Sequence, residues 1–193
     1  MVMQFILLPI TVIGSAMGNV FYRELSEQSK NQDNIKIITK KANKISFYLS
    51  ILPLLFLVLG GDKILVLFLG DKWTSAGVMS LCLAIYSVPV IISEPLLPIF
   101  RALDRQEVRF SFNIINLAIS IGALIISSRL FDNIYLSLCI YSICYAIVRF
   151  FIYGKILNIV QLTFRDVASK GVILLVICYV ILFSRIFFEL NQK

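Results

Sequence analysis

The chain has 193 residues, 59% of them hydrophobic and 15% charged, with a formal net charge of +7 and a mean hydropathy of +0.91. Globular domains are roughly half apolar and about a quarter charged, so this balance excludes a soluble domain and points to an integral membrane protein. The apolar runs are continuous rather than alternating, which excludes the dyad pattern of an outer-membrane barrel and predicts an all-α polytopic helix bundle, with room for about six spans in a single domain.

The first predicted span runs from about Met1 to Arg23. It lacks a basic n-region and a clear small-residue cleavage site, so it reads as a span whose upstream part is missing, not as a signal peptide. Within it, Gln4, Thr11, Ser15 and Asn19 recur at spacings of seven, four and four, and therefore share one helix face, with Arg23 one step further. In hydrocarbon an unpaired hydroxyl or amide costs a few kcal/mol, so this row should face other helices or a water-filled cavity. Interhelical hydrogen bonding and a cavity wall both meet that requirement. Pro9 predicts a kink, and Gly14 with Gly18 forms a small-xxx-small pair that allows close packing.

A polar loop follows, up to Lys44, in which the segment from Ile35 onward has the pattern of an amphipathic surface helix with Ile35, Ile38 and Ala42 on one face. The second predicted span covers about Ile45 to Leu59, with a start inside the basic segment as the alternative, Pro53 inside it and Gly60-Gly61 ending it. Ile64 to Leu69 is too short to cross a bilayer and predicts an interfacial turn of helix, with Trp73 at headgroup level. The third span, Thr74 to Phe100, contains Pro89, Pro95 and Pro98 and should be bent or broken in its second half. The fourth runs from about Val108 to Ser128 and the fifth from about Ile134 to Tyr153, joined tightly at RLFDN; the sixth covers Val172 to Phe188. Counting Lys and Arg in alternate loops places twelve on one side and five on the other. By the positive-inside rule the richer side is cytoplasmic and both termini lie outside.

Two ionisable residues fall inside predicted spans, Glu94 and Arg149, at similar depths, where a salt bridge would lower the desolvation cost of each. Arg149 also continues a row with Tyr141 and Tyr145 at intervals of four, a face suited to stacking sugar rings and holding an anion. The fourth span carries a second polar row, Asn113, Asn116 and Ser120. Interhelical packing is the commoner origin of such rows, and a snorkelling Arg149 with Glu94 capping a kinked helix accounts for the charges. Cys82, Cys139, Cys144 and Cys178 lie in apolar runs without metal-type spacing and act as small apolar residues. With no histidine, no conspicuous carboxylate pair within one span and no Gly-rich phosphate loop, catalytic residues, metals, cofactors and ATP hydrolysis are not expected. The basic residues are spread over short loops, which fits a membrane surface and not nucleic acid.

LPITVIGSAMGNVFYRELSE (Leu8 to Glu27), ILVLFLGDKW (Ile64 to Trp73) with Ala76 behind it, and RALDRQEVRF (Arg101 to Phe110) occur in an order and spacing that resemble the C-terminal half of a polysaccharide flippase of the O-antigen type. That family lies within the multidrug/oligosaccharidyl-lipid/polysaccharide exporter superfamily, and the resemblance covers nearly the whole chain. It implies one lobe of a two-lobed transporter that moves a polyprenyl-pyrophosphate-linked oligosaccharide across the bacterial cytoplasmic (inner) membrane by alternating access. The implied partners are the lipid-linked oligosaccharide, membrane lipids, and the polysaccharide polymerase and chain-length proteins. The stripe Gln4, Thr11, Ser15, Asn19 and Arg23, together with Asn113, Asn116, Tyr141, Tyr145 and Arg149, would then line the cavity. Arg149 would meet the pyrophosphate and Glu94 a coupling proton or cation. Another exporter of the same superfamily and a non-transporting truncated membrane protein are the alternatives.

Overall fold

The structure, a computed structural model, describes residues 2–28, 31–70, 74–167 and 172–191, without the side chains of residues 2–11, 13, 62, 65, 68, 69, 173 and 189–191. The helices are α1 (Val2–Gln28), α2 (Gln32–Phe56), α3 (Asp62–Leu69), α4 (Thr74–Ser93), α5 (Ile99–Ala102), α6 (Gln106–Leu130), α7 (Ile134–Val160), α8 (Phe164–Val167) and α9 (Val172–Asn191), with no strand among the described residues. Gln32–Gly61, Thr74–Ala102, Gln106–Leu130 and Ile134–Val160 are each long and apolar enough to cross a membrane, and Leu174–Phe188 is a shorter apolar helix. The protein is thus an all-α polytopic membrane bundle, with four helices of spanning length and composition among the described residues against about six expected. The other two expected spans correspond to α9 and to α1; Gln4, Thr11 and Trp73 lie outside the residues whose side chains are described.

α4 runs through the middle of the bundle. It packs on α7, α2, α3, α1 and α9, and 78% of its most apolar window is buried, against 11% for α6. Small residues permit this crowding: Ala76, Gly77, Ser80, Ala84 and Ser87 are all buried. The serine hydroxyls donate back to their own helix, Ser80 Oγ to the Gly77 carbonyl at 2.6 Å and Ser87 Oγ to the Ala84 carbonyl at 2.7 Å, so neither is left unpaired in an apolar setting. α6 packs along α7 and turns Ile114, Leu117, Ile121 and Ile126 outward, a face that suits lipid.

The polar stretch before Lys44 is more ordered than expected. α1 runs to Gln28 and α2 begins at Gln32, where Asn31 caps it by accepting from the Asp33 amide at 3.0 Å. The expected surface helix and second span are one continuous rod. Ile35 and Ile38 do share an inward face, and they join Phe21, Leu25, Leu96, Phe100 and Ile156 in one core cluster. The burial of Thr39 and Asn43 on that face extends the helix through a segment whose composition suggests a loop. For the same reason α7 does not stop at Tyr153: Ile156, Leu157 and Val160 are buried in this cluster, and the helix closes at Gln161, in the left-handed conformation (φ 58°).

The break at Gly60-Gly61 is as expected, with Gly60 at φ +112°, a conformation that only glycine adopts without strain. Breaking the helix leaves carbonyls of its last turn without intrahelical partners. Arg185 on α9 supplies donors for two of them, Nη1 lying 2.8 Å from the Leu57 carbonyl oxygen and 3.0 Å from that of Val58. The third predicted span is broken where its prolines require it: α4 ends at Ser93, a single 3-10 turn covers Glu94–Leu96, and the chain resumes as α5. All four cysteines are free; Cys82 and Cys178 are buried in an apolar cluster with Leu81, Ile85 and Leu182.

Candidate functional site: a paired glutamate and arginine at the break in the central helix

Pro95 and Pro98 remove two amide donors just after α4 and tighten the backbone into the 3-10 turn that begins at Glu94. α1 closes against this turn through its small-residue pair. A β-carbon on Gly14 would stand 3.5 Å from Glu94 Cγ, and one on Gly18 would stand 3.3 Å from Pro98 Cγ. The expected close packing is therefore present, and its partner is the broken part of the central helix.

From the other side α7 presents Tyr141, Tyr145 and Arg149, one helical turn apart each. Arg149 Nη1 donates to Glu94 Oε2 at 2.7 Å, and its Nη2 donates to the Tyr145 hydroxyl at 2.9 Å. The guanidinium carbon also lies 5.3 Å from the Tyr145 ring centroid, a cation–π distance. The side chains retain only 16% (Arg149) and 28% (Glu94) of their exposure, so the contact is a short, charge-assisted bond in a mostly desolvated setting. Arg149 Nε is buried and has no acceptor.

The tyrosine row does not stand open. It turns onto Tyr86 of α4, which is 2% exposed and which sequence reading missed. Tyr86 lies 5.1 Å from Tyr145 and 6.2 Å, edge to face, from Tyr141, while Tyr141 and Tyr145 are 5.9 Å apart. Tyr86 sits in an almost uniformly apolar run, where no periodicity marks it. Its hint is a hydroxyl placed mid-span, at a depth where a polar tip needs a reason.

The structure thus unites Glu94, Tyr141, Tyr145 and Arg149 and leaves the other candidates apart. Ser15 and Asn19 are exposed on α1, away from the rest of the described chain, and Ser15 Oγ donates back to the Val12 carbonyl at 3.0 Å. Arg23, 84% exposed, pairs with Glu27 on its own helix at 3.1 Å. On α6, Asn113 is exposed, while Asn116 Oδ1 and Ser120 Oγ are buried without a hydrogen-bond partner.

A second polar cluster joins α2, α7 and α8. Tyr153 donates to Asn43 Oδ1 at 2.8 Å, Asn43 Nδ2 lies 3.4 Å from the Val167 carbonyl, and Lys40 pairs with Asp166 at 3.4 Å. The Thr163 backbone amide donates to Asp166 at 3.0 Å; with the Thr163 side chain and Lys40 it holds that carboxyl below its ordinary value. No family model, curated protein or solved structure matches the chain.

Proposed function

We propose that the chain forms one lobe of a flippase that translocates a polyprenyl-pyrophosphate-linked oligosaccharide across the bacterial cytoplasmic membrane. The proposal rests on the motif order described above, and the observation that carries it at the site is the Glu94–Arg149 pair, held at a proline break between helices. An arginine mostly withdrawn from solvent is a receptor for a doubly charged phosphate ester, since its fork bonds two oxygens at once. Glu94 and the Tyr145 hydroxyl each occupy one arm of that fork in the absence of substrate. Arrival of the pyrophosphate displaces Glu94, which then takes up a proton or a cation instead of remaining a buried, unpaired carboxylate. The exposed α1 row Ser15, Asn19 and Arg23 forms part of the cavity wall, facing a second lobe. A cation exporter of the same superfamily fits less well, because its cavity would favour acidic groups without a neutralising arginine. The basic side of the bundle is cytoplasmic, and the polysaccharide polymerase and chain-length proteins are its protein partners.

The decisive experiment is complementation of a flippase-deficient strain by the complete reading frame carrying Arg149→Leu. Loss of surface polysaccharide with normal membrane levels of the protein is expected. Unchanged export removes the assignment of Arg149 as the pyrophosphate receptor.

One specific observation favours a second reading. The pair is already closed at 2.7 Å, and Arg149 is further tied to Tyr145, as a structural clamp of a broken α4 onto α7 would be. The exchanged pair Glu94→Arg with Arg149→Glu separates the two readings. A clamp tolerates the exchange and retains export, whereas a receptor loses export because the cation has moved to α4.

A further inference from the structure

A cavity of about 340 Å³ lies between α2, α4, α7, α8 and α9, within the size range of small-molecule sites. Phe47, Val88, Tyr153, Phe164 and Tyr179 form its walls, and Arg149 is its one charged lining residue among the described residues. The polar atoms of this lining are largely engaged elsewhere, Arg149 Nε being the exception. Tyr153 donates to Asn43, Tyr179 donates to the Ile85 carbonyl at 2.7 Å, and the Arg149 charge is met by Glu94. Ordered water needs two to four polar partners, which such a wall does not supply, so neither water nor a polar solute is at home there. A hydrocarbon chain is, and the surrounding bilayer supplies one.

The cavity shares Phe150 and Phe164 with a second, more open groove of about 550 Å³ between α6 and α7. These two rings stack at 5.5 Å with an interplanar angle of 10°, forming a partition with an apolar space on either side. Lys155 lines the second groove, and Arg165 follows Phe164 directly on α8. Both are exposed and form no ion pair among the described residues, while Asp166, the nearby acid, is held by Lys40 and Thr163. We infer that this end of the bundle is a binding site for an anionic diacyl phospholipid, one chain in each space beside the Phe150–Phe164 stack and the phosphate at Lys155 and Arg165. The site does not depend on the transport reading, because a lipid seated there belongs to the bilayer and not to the substrate.

The full chain is reconstituted in vesicles containing phosphatidylglycerol with a diazirine in its acyl chain, or phosphatidylcholine with the same chains, then irradiated, and the labelled residues are mapped by mass spectrometry. With phosphatidylglycerol, label is expected on Phe47, Val88 and Tyr179 well above that on the enclosed Leu54 and Ile156. Phosphatidylcholine and the exposed-rim variant Lys155→Gln/Arg165→Gln should each lower it about thirtyfold, the effect of two surface cations on an anionic headgroup. Labelling of the cavity residues at the Leu54 and Ile156 level overturns the site. Equal labelling by the two lipids, or no effect of the rim variant, overturns its preference for an anionic headgroup.

Discussion

A carboxylate and a guanidinium brought together inside a bundle are each costly alone and tolerable together, and that asymmetry governs what substitutions do at this site. Removing one partner of a fully buried pair costs about 3–5 kcal/mol; with Glu94 28% and Arg149 16% exposed, about 1–3 kcal/mol is the appropriate scale. Glu94→Gln and Arg149→Gln should therefore each lower the unfolding midpoint in detergent. The double variant should lie much closer to the parent than the sum of the two, because neither leaves an orphan charge in it. Additive losses, followed by thermal denaturation, would show the two groups to be uncoupled. Gly18 gives an independent handle on the same region. Its absent β-carbon would already sit 3.3 Å from Pro98 Cγ, so Gly18→Val has nowhere to put its methyl groups and should cost about 1–3 kcal/mol by prising α1 from the break. A midpoint unchanged from the parent would mean that α1 packs there only loosely.

At the scale of elements, the short α8 meets α2 through Lys40 with Asp166 and through Asn43 with the Val167 carbonyl, and its first turn is closed by the Thr163 amide donating to the same Asp166 carboxylate. Asp166 is held below its ordinary value near 3.8, first by the Thr163 amide and then by the Thr163 side chain and Lys40. A depressed folded-state value means that the stabilisation is fully present above the ordinary carboxylate value and is lost as pH falls through the lower, folded one. Amide exchange in α8 should accelerate over that acidic interval and not between pH 5 and 8, and Asp166→Asn should abolish the pH dependence. High salt should weaken the Lys40 contribution and spare the amide hydrogen bond. Why sequence reading went as far as it did is visible in these same elements. The break after α4 was legible because proline chemistry is local, and the Gly14/Gly18 face because spacing alone specifies it. Depth counted from flanking basic residues brought Glu94 and Arg149 to one level, which is why their pairing was legible too. The shared face of Ile35 and Ile38 was legible as well, but the extent of α2 was not, because Lys36, Lys40, Lys41 and Lys44 give its first half a surface composition, and the burial of Thr39 and Asn43 that makes it one rod with the second span comes from packing against distant elements. The Tyr86 contact and the Asn43–Tyr153 bond pair residues far apart in the chain, and no local pattern encodes them.

For the molecule as a whole, two exposed helical faces demand different surroundings. α6 turns Leu117, 62% exposed, and Ile126, 60% exposed, outward, and lipid satisfies such a face completely. α1 turns Ser15, Asn19 and Arg23 outward, and lipid does not, since an amide facing hydrocarbon without a partner costs a few kcal/mol. If this row lines an aqueous cavity shared with a second lobe, a thiol placed in it ionises and reacts, whereas a thiol in hydrocarbon stays protonated and inert. In the complete reading frame, with its native cysteines replaced by alanine, Asn19→Cys should react with a membrane-impermeant maleimide on the order of tenfold faster than Leu117→Cys. Ser15→Cys, one turn away on the same face, should follow Asn19→Cys, while Val20→Cys, 62% exposed on a neighbouring face, should react more slowly. A row that labels no faster than Leu117→Cys faces lipid or a tightly packed helix. Its polar groups then serve interhelical hydrogen bonding, and the cavity wall must be sought on another face of the bundle.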